Sequence, residues 1–147
     1  MQGQFKPKNP RKYKGDVSNI VYRSGWELNF MLWCDRTKQV IEWASEELFI
    51  PYLSPKTRKF QRYFPDFLIK IKDDKTGKIR TIMIEIKPLK ETIPPSDMSG
   101  KRKKPKNRLL QEALTFSINT AKWDAARAWC KKRGIEFKIM TEKDLNV

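Results

Sequence analysis

The sequence predicts a single α/β domain in which a mixed β-sheet is flanked by helices. Segments with helical or strand periodicity follow one another along the chain in the order α, β, β, β, β, α, β. The length of 147 residues suits one domain with a modest core. Hydrophobic residues make up 39% of the chain and aromatic residues 12%, which is enough to fill such a core.

The first predicted element is a helix over residues 24–38. Ser24 is a favourable N-cap, and Glu27 follows three residues later, where a capping box places its carboxylate over the first turn. Leucine and methionine recur behind this start at helical spacing and supply an apolar face. The elements that follow are strand candidates at residues 40–44, 48–53, 60–71 and 79–87.

The last two of these strand candidates should form an antiparallel hairpin. The segment between them, "KDDKTGK", favours a turn and contains Gly77. A long amphipathic helix is then predicted over residues 109–133, ended by Gly134, and a final strand over residues 135–140 completes the sheet. The predicted buried stripe of the long helix is Leu110, Leu114, Ala121, Ala125 and Trp129.

The chain is strongly basic. With 32 Lys and Arg against 17 Asp and Glu, its formal net charge is +15. Such an excess favours a polyanionic partner, and nucleic acid is favoured over a membrane because no basic amphipathic helix or hydrophobic anchor is evident. No apolar run is long enough to span a bilayer, and the N-terminus lacks the apolar core of a signal peptide. We therefore expect a nucleic-acid-binding protein in a cytoplasm-like compartment.

Two segments hold most of the excess charge. Residues 1–15 carry five Lys or Arg and no acid, and residues 92–108 carry six Lys or Arg with one acid. Both are rich in Pro, Gly or Ser, so we interpret them as a basic N-terminal arm and as a basic loop within a single domain over residues 16–147. These basic residues either only keep the protein soluble or contact phosphates. The position of the two segments on both sides of an apolar domain favours contact with phosphates.

The absence of histidine narrows the possible chemistry. The two cysteines, Cys34 and Cys130, lie far apart with no partner ligands nearby. Most zinc sites, Ser/His and Cys/His nucleophile pairs, and histidine as a general base are thereby excluded. An enzyme with this sequence would rely on carboxylates, lysine and a hard metal ion.

Asp66, Glu85 and Lys87 are the candidate catalytic residues of the hairpin. Asp66 begins the apolar part of one strand and Glu85 ends the next, so antiparallel pairing brings them to the same end of the sheet. Lys87 projects from the same face as Glu85 because strand side chains alternate. Two carboxylates this close repel unless a proton or cation lies between them, and oxygen ligands alone select Mg²⁺ or Mn²⁺.

Each candidate also has an ordinary structural interpretation. Glu85 and Lys87 could form a surface salt bridge of little energetic value, and Glu27 could serve only as the capping-box acid. Asp66 on the neighbouring strand favours a metal site over the salt bridge. Arg58, Lys59 and Arg62 either line the approach to that site or form an exposed basic turn.

These residues together resemble the PD-(D/E)xK nuclease signature. "PD" at residues 65–66 is followed by "EIK" at residues 85–87, and Glu27 matches the acid that these enzymes often carry on the preceding helix. The resemblance extends through "FKPKNPRKYKGD", "YRSGWELNFMLWCD" and "YFPDF" to "EIKP", a pattern similar to that of head completion proteins of T-even-type tailed phages. It implies a restriction-endonuclease-like fold and metal-dependent hydrolysis of DNA phosphodiester bonds.

The resemblance also implies individual roles. Asp66 and Glu85 would hold Mg²⁺ or Mn²⁺ together with the backbone carbonyl of Ile86, while Glu27 would complete the cluster directly or through water. Lys87 would stand beside the attacking water.

Residues outside this cluster complete the predicted site. A polar residue on the following helix reaches the site in several such nucleases, which indicates Asn119 and Lys122. The candidate DNA contacts are Lys12, Lys14, Arg58, Lys59, Arg62, Lys101, Arg102, Lys103, Lys104 and Lys122.

The favoured function on this basis is a metal-dependent DNA endonuclease that acts in phage head completion and maturation of packaged DNA. The alternatives are a non-catalytic DNA-binding head completion protein at the portal end and a junction-resolving endonuclease. The intact Asp66, Glu85 and Lys87 set favours an enzyme, because a purely structural protein has no need of metal ligands beside a lysine. The resemblance further implies phage head or portal proteins as partners, and the host cytoplasm during assembly or the virion head as the location.

Overall fold

The computed structural model describes residues 2–96, 98–99 and 102–145, so the predicted DNA contact Lys101 lies outside the described residues. The strands are β1 (Gly3–Gln4), β2 (Val21–Tyr22), β3 (Val40–Ser45), β4 (Ile50–Leu53), β5 (Phe60–Tyr63), β6 (Phe67–Lys72), β7 (Ile79–Ile86), β8 (Met98–Ser99), β9 (Arg102–Lys103) and β10 (Glu136–Met140). The α-helices are α1 (Gly25–Arg36), α2 (Lys106–Arg133) and α3 (Glu142–Leu145). Single 3-10 turns span Pro10–Lys12, Val17–Asn19 and Leu89–Glu91.

The main sheet has four strands in the order β10, β7, β6, β3. Strand β6 pairs antiparallel with both β3 and β7, whereas β10 joins β7 in parallel. Helix α1 packs on one face of the sheet, where its buried side chains meet Phe67 and Ile84. Helix α2 packs on the other face through Trp123 and Cys130 against Met83. The predicted mixed sheet flanked by helices is therefore confirmed, in a restriction-endonuclease-like arrangement.

The predicted strand over residues 60–71 is wrong as a single element, because the chain leaves one sheet and enters another at Pro65. Proline has no backbone N–H to donate to a strand ladder, so it falls where pairing changes. Before it, β5 pairs antiparallel with β4 in a separate two-stranded hairpin. After it, β6 forms the predicted antiparallel hairpin with β7.

Residues 2–15 pack on the domain, which corrects the expectation of a basic arm separate from it. Phe5 and Tyr13 are buried in the core beneath α1. Their rings meet Trp43 edge-on, with centroid distances of 5.8 Å and 4.7 Å respectively. Two aromatic anchors in a short polar segment are enough to hold it, because each ring removes a large apolar area from water.

The helices begin and end close to the predicted positions. Ser24 caps α1 by accepting the N–H of Glu27 at 3.1 Å. Helix α2 starts three residues earlier than predicted, at Lys106, and ends at Gly134, whose φ of 68° is left-handed as a terminating glycine requires. Its predicted stripe is confirmed at Ala121, Ala125 and Trp129, which are partly buried against the core, and is wrong at Leu110, which is exposed. The most buried positions of the helix are Asn119, Trp123, Ala126 and Cys130. Among the described residues, no helix combines the length and apolar character needed to cross a membrane.

Candidate active site

Asp66 and Glu85 lie opposite each other at one end of the main sheet. The last residue pair of β6 and β7 is Phe67 with Ile84, so the next pair along the same register is Asp66 with Glu85. Both side chains leave the sheet on the α2 face, as strand alternation from Met83 requires. A carboxylate oxygen of Asp66 accepts the backbone N–H of Ile86 at 2.7 Å, which fixes its orientation. The structure thus brings these predicted residues together.

Asp66 also belongs to a cluster of three acidic side chains. Carboxylate oxygens of Glu27, Glu46 and Asp66 all lie within 4.8 Å of one another. Glu27 comes from the first turn of α1, and Glu46 directly follows β3. Three elements that are distant in sequence therefore converge on one point, the geometry that a cation site needs.

Glu46 is the residue that the sequence analysis missed. Its backbone is left-handed, with φ of 54°, and its N–H donates to the carbonyl of Asp66 at 3.2 Å. The pairing of Ser45 with Phe67 places Glu46 opposite Asp66. Only knowledge that β3 pairs with β6 would have revealed it, because nothing in the local sequence distinguishes Glu46 from Glu47.

Electrostatic strain in the cluster is visible in its pKa shifts. Burial raises the pKa of Asp66 well above its usual value, and the neighbouring charge of Glu85 raises it further, against the opposing hydrogen bond from Ile86. Burial also raises the pKa of Glu27, although the backbone N–H of Arg23 partly offsets this. Carboxylates whose charged form is this unfavourable bind a proton or a cation readily.

Arg23 supplies a counter-charge that the sequence analysis did not foresee. Its guanidinium contacts both carboxylate oxygens of Glu46, at 2.5 Å and 2.6 Å. The hydrogen bond to Glu46 and the charge of Glu46, followed by the charges of Glu27 and Asp66, raise the pKa of Arg23. The Arg23 side chain remains about half exposed to solvent.

The Glu85 carboxylate is buried and incompletely satisfied. Glu85 is only 5% exposed, and the Trp123 indole N–H donates to one of its carboxylate oxygens over a long 3.5 Å. The other carboxylate oxygen has no hydrogen-bond partner in the part of the chain that the structure describes. Burial and the charges of Glu85 and Asp66 raise the pKa of the neighbouring Tyr63 hydroxyl. A buried acceptor without a partner is costly, and a bound cation would satisfy it.

The two lysines predicted near the carboxylates are close to each other. Lys87 directly follows β7, with its backbone N–H donating to the carbonyl of Met140 at 3.0 Å. Lys122 reaches the site from α2. Burial and the charge of Lys87 lower its pKa, while the charges of Glu85 and Asp66 act in the opposite direction. Asn119 is buried one turn earlier on the same helix.

Comparison with known proteins agrees with this geometry. Residues 37–142 match the family described as "TnsA-like endonuclease N terminal". The chain belongs to the TnsA-like endonucleases. The PD-(D/E)xK prediction is thereby confirmed, and the matched range of this TnsA-like chain includes Glu46, Asp66, Glu85 and Lys87, whereas Glu27 precedes it. The chain is also similar to the head completion nuclease of Enterobacteria phage T4, with 43% identity over 143 residues that cover 97% of this chain and 92% of the relative.

Some predicted DNA contacts of the TnsA-like chain are exposed, whereas others are engaged in contacts within the protein. The Lys12 ammonium donates to the carbonyls of Cys34, Asp35 and Thr37 at 2.7, 3.1 and 2.7 Å. It caps the C-terminal end of α1, so its assignment as a phosphate contact is corrected. Lys104 is also engaged, in a salt bridge with Glu112 at 2.6 Å. The remaining described candidates outside the active site are exposed: Lys14, Arg58, Lys59, Arg62, Arg102 and Lys103.

Proposed function

We propose that this TnsA-like endonuclease cuts DNA in a divalent-metal-dependent reaction at the Asp66–Glu85 site. One observation carries the proposal above the others. A buried carboxylate oxygen of Glu85 has no hydrogen-bond partner among the described residues, and it lies beside Asp66, an acid of raised pKa. Such an unfavourable arrangement is typical of a site where a bound ligand compensates for it. The strongly basic chain supports a polyanion as the substrate.

The donor set fits a hard cation such as Mg²⁺ or Mn²⁺. Asp66, Glu85 and Glu27 offer carboxylate oxygens, the chain has no histidine, and both cysteines are buried away as core residues. The Ile86 carbonyl completes the proposed set, and Glu46 is an additional donor. When bound, such an ion supplies charge stabilisation at the phosphorus and favours loss of a proton from the attacking water.

The protein's own groups would position the reactants. The hydrogen bond from Ile86 holds the Asp66 carboxylate in one orientation, so this ligand needs no reorganisation. Lys87 would orient the attacking water as an ammonium or, as the free amine, accept its proton. Lys122, whose pKa is lowered, would offset charge on the phosphate from the α2 side.

The biological setting of this proposal follows from the T4 relative, which is a head completion nuclease. We propose that the present chain acts in the same process, with phage head or portal proteins as further partners. Its location would be the infected host cytoplasm during assembly, or the virion head. Exposed Arg58, Lys59 and Arg62 on the β4–β5 hairpin would contact the DNA backbone.

The proposal is tested by plasmid nicking with Mg²⁺, with Mn²⁺ and with EDTA. The matched pair of variants is Lys87→Ala and Lys70→Ala, since Lys70 is an exposed lysine of β6 that contacts Glu42 away from the site. We expect metal-dependent nicking by the wild type and by Lys70→Ala, and a loss of about 100-fold in Lys87→Ala. A wild-type protein that binds DNA without nicking it would instead support the non-catalytic head completion function.

A further inference from the structure

The β4–β5 hairpin exposes an apolar strip on its outer face. Alternate residues of the two strands and their ends point outward, with Leu53 paired to Phe60 and Pro51 paired to Arg62. Phe60 is 74% exposed and Leu53 is 54% exposed, the largest exposures among the apolar residues of this hairpin. We call this surface the aromatic strip, and its residues are Phe49, Pro51, Leu53, Phe60, Arg62 and Phe64.

Folding of the hairpin does not require this strip. The inner face of the hairpin holds Ile50, Tyr52 and Tyr63, which are buried against α2. The outer rings instead pack on one another, with the centroids of Phe49 and Phe64 5.8 Å apart and the Arg62 guanidinium 4.9 Å from the Phe49 ring. Contiguous exposed apolar surface of this kind marks a binding site more often than chance.

The charge around the strip selects the class of partner. Residues 48–65 contain Lys56, Arg58, Lys59 and Arg62 and no acidic residue. A positive surface with interleaved aromatic rings is what single-stranded nucleic acid binds, because cations follow the phosphates while rings stack on bases. A protein partner with an apolar surface would not need this many cations.

The strip is close to the candidate active site along the chain. Phe64 at its end is two residues before Asp66, and Phe60 at its far end is six residues before Asp66. Six extended residues span at most about 20 Å. A DNA strand lying on the strip would therefore pass within about 20 Å of Asp66.

We infer that the aromatic strip stacks unpaired bases of the DNA strand that enters the active site. The substrate class is DNA with a single-stranded extension or opened segment beside the cleaved bond. In an intact duplex the bases stack on one another, so their faces are not available to the rings of the strip. This inference rests on the proposed function for the cleavage step. The binding step is measurable without cleavage.

The test compares binding of oligothymidine with binding of an abasic strand of the same length, which keeps every phosphate and lacks every base. Fluorescence anisotropy in EDTA measures both without cleavage. The wild type should bind oligothymidine about 10-fold more tightly than the abasic strand, and Phe60→Ala should lose that difference by weakening only oligothymidine binding. Ile79→Ala is the matched control, an exposed apolar residue, 53% exposed, at the end of β7 remote from Glu85.

Three outcomes would overturn the inference. The first is equal wild-type affinity for the two strands, and the second is a Phe60→Ala loss that is the same for both, which would indicate phosphate contacts only. The third is normal DNA binding by Phe60→Ala with loss of binding to phage heads, which would assign the strip to a protein partner. A wild type that discriminates the strands and yet never nicks would refute the proposed function alone.

Discussion

Replacing Asp66 with asparagine should make the metal-free protein more stable while abolishing its function. The amide is nearly isosteric with the carboxylate and keeps an oxygen that can accept the Ile86 N–H now held at 2.7 Å. What the substitution removes is the negative charge that Asp66 shares with Glu27, Glu46 and Glu85. The variant therefore separates the electrostatic cost of the site from its packing.

The size of the effect follows from the geometry. Two full charges 4.8 Å apart, the largest separation in the Glu27–Glu46–Asp66 cluster, repel by about 3 kcal/mol at an effective dielectric constant of 20. The Arg23 guanidinium, which contacts Glu46, cancels part of this repulsion. We expect a net gain of about 1–2 kcal/mol in unfolding free energy, or about 3–6 °C in Tm for a chain of this size.

Thermal unfolding in EDTA and in saturating Mn²⁺ measures this prediction. The wild type should gain about 3 kcal/mol when the ion is present at about 100 times its Kd, whereas Asp66→Asn should gain little. Asp66→Asn should already be the more stable protein in EDTA. A variant that is less stable than wild type in EDTA, or one that Mn²⁺ stabilises as strongly as wild type, would refute the reasoning.

Three further predictions follow from the same structure. Glu27→Gln should change the unfolding free energy by less than about 1 kcal/mol, because Ser24 still accepts the N–H of residue 27. Nicking should nevertheless be lost. Full nicking by this variant would leave Glu27 with only a capping role. Lys12→Met should lower the unfolding free energy by about 1–3 kcal/mol, because three carbonyls lose their donor. The salt dependence of DNA binding should not change. A reduced salt slope at unchanged stability would show that Lys12 is a phosphate contact after all. Because the pKa of Asp66 is raised in the folded state, the stability that Asp66 contributes is present below about pH 4 and is lost as pH rises. The stability advantage of Asp66→Asn in urea unfolding should therefore shrink toward pH 4. A difference that does not depend on pH would contradict the pKa shift.

The local sequence was sufficient to predict the central hairpin and its carboxylates. Turn residues around Gly77 and alternating apolar residues define β6 and β7, and once they pair, the positions of Asp66 and Glu85 at one sheet end follow. Ser24 predicted the start of α1 because an N-cap is a local interaction. These features depend on contacts between neighbours in sequence or across one tight turn.

Features that depend on distant pairing were not predictable. Glu46 joins the site only because β3 lies beside β6, and Arg23 becomes its counter-ion only as a consequence. The N-terminal segment was mistaken for a mobile arm because Phe5 and Tyr13 are isolated apolar residues without periodicity. Their partner Trp43 lies far along the chain, on β3.

Nicking of supercoiled plasmid by Asp66→Asn tests the central claim most directly. Because this variant should be at least as stable as the wild type, a loss of activity cannot be attributed to unfolding. The account predicts nicking by the wild type with Mg²⁺ or Mn²⁺, none with EDTA, and none by Asp66→Asn in any of these conditions. Equal nicking by the two proteins would show that the cut is made elsewhere or by a contaminant, and would contradict the assignment of the site.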